Sequence, residues 1–135
     1  MLVVDTSAVL EALVAREAAP GLLDRLAADG ELHAPHLIDT ELLYALRRMC
    51  LDGALTEERA EDARNDYAEL ALIRYPHEPL SDRVWEIRHI LTAYDATFVA
   101  LAEALDAPLI TCDARLAGAP GHDARIELYG SGPGA

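Results

Sequence analysis

The chain has 135 residues, with 24 acids against 11 bases, a formal net charge of −13, and Arg at every basic position. That length favours one core over two, and a hydrophobic fraction of 52% excludes intrinsic disorder. The lack of Lys removes phosphate-loop NTPases and Schiff-base enzymes, which need that amine, and the acidity argues against non-specific nucleic-acid binding.

In chain order, Leu2-Val3-Val4 is a short β-branched run that ends at Asp5 and reads as a buried strand. Val9, Leu10, Leu13 and Val14 then mark a helix over Ser7–Ala15, capped by Asp5, Thr6 or Ser7. Pro20 suits the first turn of a second helix, with Leu22, Leu23 and Leu26 inward and Gly30 as its stop. Leu32-His33-Ala34 reads as a short strand. Leu42, Ala45, Leu46 and Met49 predict a helix ending before Gly53. Thr56 caps the next, with Ala60, Ala63, Tyr67 and Leu70 inward and Tyr75-Pro76 as its breaker.

Val84, Ile87 and Leu91 predict one helix over Leu80–Leu91, with Trp85 and Ile90 beside the stripe. Asp95 opens a helix that runs to Leu105. Leu109 to Cys112 is a second buried-type run ending in an acid, Asp113, and Ile126–Leu128 is a last strand. A domain over residues 1–129 is expected, followed by a flexible tail at 130–135, Gly-Ser-Gly-Pro-Gly-Ala. Short strands alternating with helices predict an α/β fold with a mostly parallel sheet. No apolar run reaches the ~18 residues of a membrane span. The opening residues carry no basic stretch, so a cytoplasmic protein is expected. Cys50 and Cys112 form no CxxC and read as small buried apolar groups; His33 and His36, flanking Pro35, are expected at the surface or in a turn.

Two strands therefore end in carboxylates. In an open parallel sheet, ligands bind outside the carboxyl ends of the strands, so Asp5 and Asp113 share a crevice if their strands are neighbours. Asp95 joins them only if its helix starts at that edge, which spacing alone leaves open. Glu41 shares a helix face with Leu37, Tyr44, Ala45 and Arg48. Asp39, two residues earlier, points about 200° away. Taken singly, each acid reads as a helix cap, a turn residue or, for Glu41, a partner of Arg48. Converging acids instead imply metal ions, since clustered carboxylates repel, and oxygen donors without Cys or His favour Mg²⁺ or Mn²⁺.

Three segments, VVDTSAVLEAL, PHLIDTELLYALRR and LTAYDATFVALAEALDAPLITCDARLA, resemble the PIN-domain ribonucleases of the VapC toxin type. The resemblance spans nearly the whole chain to about Leu116, and its third segment is the most specific. It implies a PIN-like three-layer α/β/α sandwich and places Asp95 at the shared edge. It implies that Asp5, Glu41, Asp95 and Asp113 form a catalytic metal site supported by Thr6, Ser7 and Thr111. It also implies hydrolysis of RNA phosphodiester bonds to a 5′-phosphate and a 3′-hydroxyl. The expected partners are an RNA substrate and a small, often basic antitoxin that inserts an Arg among the acids, within a homodimer and a toxin–antitoxin hetero-oligomer. Arg47, Arg48, Arg74, Arg83, Arg88 and Arg115 are available for RNA phosphates, against a background of surface salt bridges. A PIN nuclease of RNA maturation, or a non-catalytic acidic α/β binding module, are the alternative readings.

Overall fold

A computed structural model describes residues 1–130; residues 131–135 of the expected tail lie outside the described residues. The elements are β1 (Leu2–Val4), α1 (Thr6–Val14), α2 (Leu22–Asp29), β2 (Leu32–Pro35), α3 (Leu37–Leu51), α4 (Glu57–Ala68), β3 (Leu72–Tyr75), α5 (Ser81–Glu86), α6 (Ala93–Leu105), β4 (Leu109–Thr111), α7 (Ala114–Ala117) and β5 (Ile126–Leu128), with a 3₁₀ turn at Glu78–Leu80. The strands form one sheet in the order β3-β2-β1-β4-β5, and every pairing is parallel. The chain runs outward from β1 through β2 to β3, then crosses back to β4 and β5. Right-handed crossovers consequently put α1–α4 on one face and α6 on the other. In agreement, α1 packs on α3 and α4, and α6 packs on β1, β2 and β4. The α/β fold with a parallel sheet expected from the alternating pattern, and the sandwich that the resemblance implied, are the observed architecture.

Burial on both faces explains the apolar strands. Leu2, Val3, Val4, Leu109 and Ile110 are all but inaccessible, and Phe98, Val99 and Leu101 of α6 cover them from one side. Fully burying each such side chain contributes roughly 1.5–3 kcal/mol. Local chemistry sets the helix ends. Asp5 caps α1 by accepting from the Ala8 N–H, and Thr56 and Thr92 do the same for α4 and α6. Gly30 ends α2 at φ 72°, a left-handed conformation that disfavours a side chain.

Several expectations change. Pro20 lies in the turn before α2, whose cap is Gly21. The segment before Pro76 is the edge strand β3 rather than the end of a helix. The single helix expected over 80–91 stops at Glu86, leaving Trp85 66% exposed. His33 is buried: β2 is an inner strand, and its imidazole Nδ1 meets the Tyr75 hydroxyl at 2.7 Å. Among the described residues, no helix is long and apolar enough to cross a membrane.

Candidate metal centre

The chain reverses its direction across the sheet between β1 and β4, and the crevice outside the carboxyl ends of those strands is the expected ligand position in such a sheet. Val4 pairs with Ile110, and the Asp5 N–H donates to the Ile110 carbonyl at 3.1 Å, so Asp5 and Asp113 leave the same edge side by side. α3 follows β2 directly and starts at that edge, with Glu41 one turn in. α6 precedes β4 and runs antiparallel to it, which puts Asp95, in its first turn, at the edge as well. The position that spacing left open is thereby determined by topology.

Asp5 is the most enclosed of the four, 5% exposed. Its Oδ1 accepts from Ser7 Oγ (2.7 Å) and the Ala8 N–H (2.9 Å), and its Oδ2 accepts from Thr111 Oγ1 (2.5 Å). Ser7 Oγ also accepts the Cys112 N–H (2.9 Å), and Thr111 Oγ1 accepts the Asp113 N–H (3.0 Å), so the two hydroxyls tie the ends of β1 and β4 together. Thr6 Oγ1 donates to Glu41 Oε1 at 2.6 Å, and this contact, not one to Arg48, holds Glu41. Asp39 points elsewhere: it takes both Arg74 Nε (2.7 Å) and Nη2 (2.8 Å), together with the Tyr67 hydroxyl (2.7 Å).

The electrostatics run along a row. Burial pushes the Asp5 carboxyl up to about 6; its hydrogen bonds from Thr111, Ala8 and Ser7 oppose this, and the Asp113 charge adds to it. Burial also raises Glu41, against the Thr6 hydrogen bond and with the charge of Asp95. Asp95 is raised by burial first, then lowered by Arg115 and raised by Asp113. Charge thus couples Asp5 to Asp113, Asp113 to Asp95, and Asp95 to Glu41. Among the described residues, no three His, Cys, Asp or Glu side chains are grouped as the ligands of one ion. The row nonetheless suits a divalent cation. It offers hard oxygen donors, and a bound cation relieves the burial and like charge that raise Asp5, Glu41 and Asp95.

Arg115, noted from the sequence only as one arginine among several, stands over the row. Its Nη2 lies 3.5 Å from Asp95 Oδ2 and 3.4 Å from Asp113 Oδ2. Its place two residues after Asp113 was the available signal. Beside the row opens a cleft of about 800 Å³, lined by Ser7, Glu11, Glu17, Pro20, Asp113 and Arg115 among others. Glu11 was not foreseen; it accepts the Ala19 N–H at 3.0 Å and holds the rim of the cleft.

Comparison with known proteins follows the same lines. The family model described as PIN domain matches residues 2–121. Ribonuclease VapC1 of Mycobacterium tuberculosis is 46% identical over 127 residues, covering 93% of this chain and 96% of that protein. Among solved structures, VapBC2 from Rickettsia felis, bound to a DNA fragment from their promoter, superimposes with a TM-score of 0.72 at 14% identity, covering 96% of this chain and 98% of that one. Mycobacterium tuberculosis VapC20, a sarcin-ricin loop cleaving toxin, gives 0.64 at 21% identity, covering 89% and 97%.

Proposed function

Since the chain belongs to the PIN-domain family, we propose that Asp5, Glu41, Asp95 and Asp113 hold divalent metal at the carboxyl edge of the sheet and that RNA is cut there. The chain is a VapC-type endoribonuclease, the toxin of a toxin–antitoxin pair. Its reaction is hydrolysis of an RNA phosphodiester bond, leaving a 5′-phosphate and a 3′-hydroxyl. The observation that carries the site assignment is the gathering of these carboxylates at one sheet edge, Asp5 buried and held by Ser7 and Thr111, Asp95 and Asp113 sharing one Arg115 nitrogen, beside an open cleft.

Asp5 and Asp113 are the principal ligands, because they flank the strand ends most closely. Asp95 and Glu41 complete the set or orient water. Thr6 fixes Glu41, while Ser7 and Thr111 hold Asp5 with both oxygens in defined directions. Mg²⁺ or Mn²⁺ fits such a row, since it binds through one or two carboxylates and keeps several waters. Bound there, the ion supplies a water of lowered pKa and neutralises charge on the phosphoryl oxygens. The residues' own contribution is a preset negative edge that needs no rearrangement of β1 or β4.

The antitoxin's apolar contact is assigned to the groove of about 330 Å³ between α1, α2 and the turn after α4, lined by Val9, Leu13, Leu23, Leu26 and Leu70 among others. Such a surface gives tight affinity, where the net charge of −13 gives mainly steering. The activity is tested by incubating the purified protein with a mixed cellular RNA pool. Internal fragments are expected with Mg²⁺ or Mn²⁺, none in EDTA, and recovery when metal is restored. Cleavage indifferent to EDTA would overturn the metal assignment.

A further inference from the structure

We infer that Arg115 is the acid row's internal counter-cation and a positioning residue for RNA: its guanidinium rests on Asp95 and Asp113, and it turns to a substrate phosphate once a divalent ion takes those oxygens. The inference rests on the metal reading proposed above. Its first support is the looseness of the contact. Among the described residues, the other arginines paired with carboxylates sit at 2.7–3.0 Å, several of them through two nitrogens. Arg115 touches two acids with one nitrogen, at 3.4 and 3.5 Å. Its two hydrogen bonds, both from Nη2, are long, so charge holds it more than directed bonding does.

The second support is placement. The Arg115 side chain is 78% exposed, above acids that are 27% and 30% exposed. Its backbone is fixed, because its N–H donates to Asp113 Oδ1 at 2.9 Å in the first turn of α7. A pinned Cα with a free, long side chain can pivot without disturbing the ligands. Arg115 also lines both depressions that flank the row, the large cleft beside Ser7 and Glu11 and a smaller one of about 280 Å³ beside Ile90, Thr92 and Asp95. A strand laid across the acids passes over it. A guanidinium and a divalent ion compete for the same carboxylate oxygens, and the displaced guanidinium is suited to bind phosphate bidentately.

The test has two arms, with fold checked by circular dichroism. Calorimetric titration of Mn²⁺ into RNA-free protein is expected to show Arg115→Gln binding the ion about three- to fivefold more tightly than wild type, the range for releasing an exposed ion pair. At saturating Mn²⁺, a cleavage-resistant 2′-O-methyl oligoribonucleotide is expected to bind Arg115→Gln about ten- to thirtyfold more weakly, with Arg115→Lys between the two, as for loss of one charge-assisted contact. Unchanged Mn²⁺ affinity, or unchanged RNA affinity, overturns the exchange while leaving the metal reading intact. No Mn²⁺ uptake by either protein at millimolar concentration removes the metal reading and this inference with it.

Discussion

Asp5→Asn separates the energetic role of the buried carboxylate from its ligand role. Burial pushes the Asp5 carboxyl from 3.8 up to about 6, a difference that corresponds to roughly 3 kcal/mol. Because the folded value is raised, the folded state binds the proton more tightly than the unfolded chain. The associated stability is fully present below about pH 4 and is lost as pH rises through 6. At pH 8 the wild type therefore carries the whole penalty, and Asn escapes it. The amide keeps an oxygen for Ser7 and Ala8 but turns an NH₂ toward Thr111, whose hydroxyl already accepts from the Asp113 N–H, at a cost of about 1 kcal/mol. The expected net gain is about 1–2 kcal/mol, or roughly 3–8 °C in Tm for a domain of this size. Differential scanning fluorimetry in EDTA should show that gain at pH 8, its shrinkage at pH 5 and its disappearance as the pH is lowered toward 4. Stabilisation by added Mn²⁺ and RNA cleavage should both vanish in the variant. Equal or lower Tm for Asp5→Asn at pH 8 would refute the reasoning.

Thr111→Val removes the leading hydrogen bond that lowers Asp5; the acid limb of the pH profile of kcat/KM should move upward and cleavage at pH 7 should fall about tenfold, in the range for one lost charge-assisted hydrogen bond. Asp39→Asn cuts the partly exposed contacts to Arg74 and Tyr67; urea denaturation should show a loss within about 1 kcal/mol, with cleavage unchanged. Tyr75→Phe deprives the buried His33 of its Nδ1 partner, when its Nε2 already lacks one; the urea midpoint should drop by the equivalent of about 1–3 kcal/mol.

β1 and β4 were legible because both faces are covered, which writes each as a continuous apolar run that leads into an acid. β3 was not, because it is an edge strand whose central Ile73 and Arg74 are exposed, so no apolar run marks it. The stripe at Val84, Ile87 and Leu91 was real in composition, but the backbone leaves helical geometry at Ile87, and Trp85 turns outward. His33 read as a surface residue because its partner Tyr75 is 42 residues away. Distance in sequence also hid the anchor of Glu41: local spacing suggested Arg48, whereas Thr6, 35 residues earlier, holds it. The acids themselves were visible as residue types at strand and helix ends, while the position of Asp95 depended on how the chain crosses from β3 to β4.

The most direct test of the metal assignment is a crystal of this protein soaked in Mn²⁺ and measured at the manganese absorption edge. An anomalous peak is expected at the carboxyl edge, within coordinating distance, about 2.0–2.3 Å, of Asp5 or Asp113 oxygens, with the Arg115 guanidinium moved off the Asp95–Asp113 pair. Mn²⁺ bound elsewhere on the surface, with the row of four acids left unligated, would contradict it.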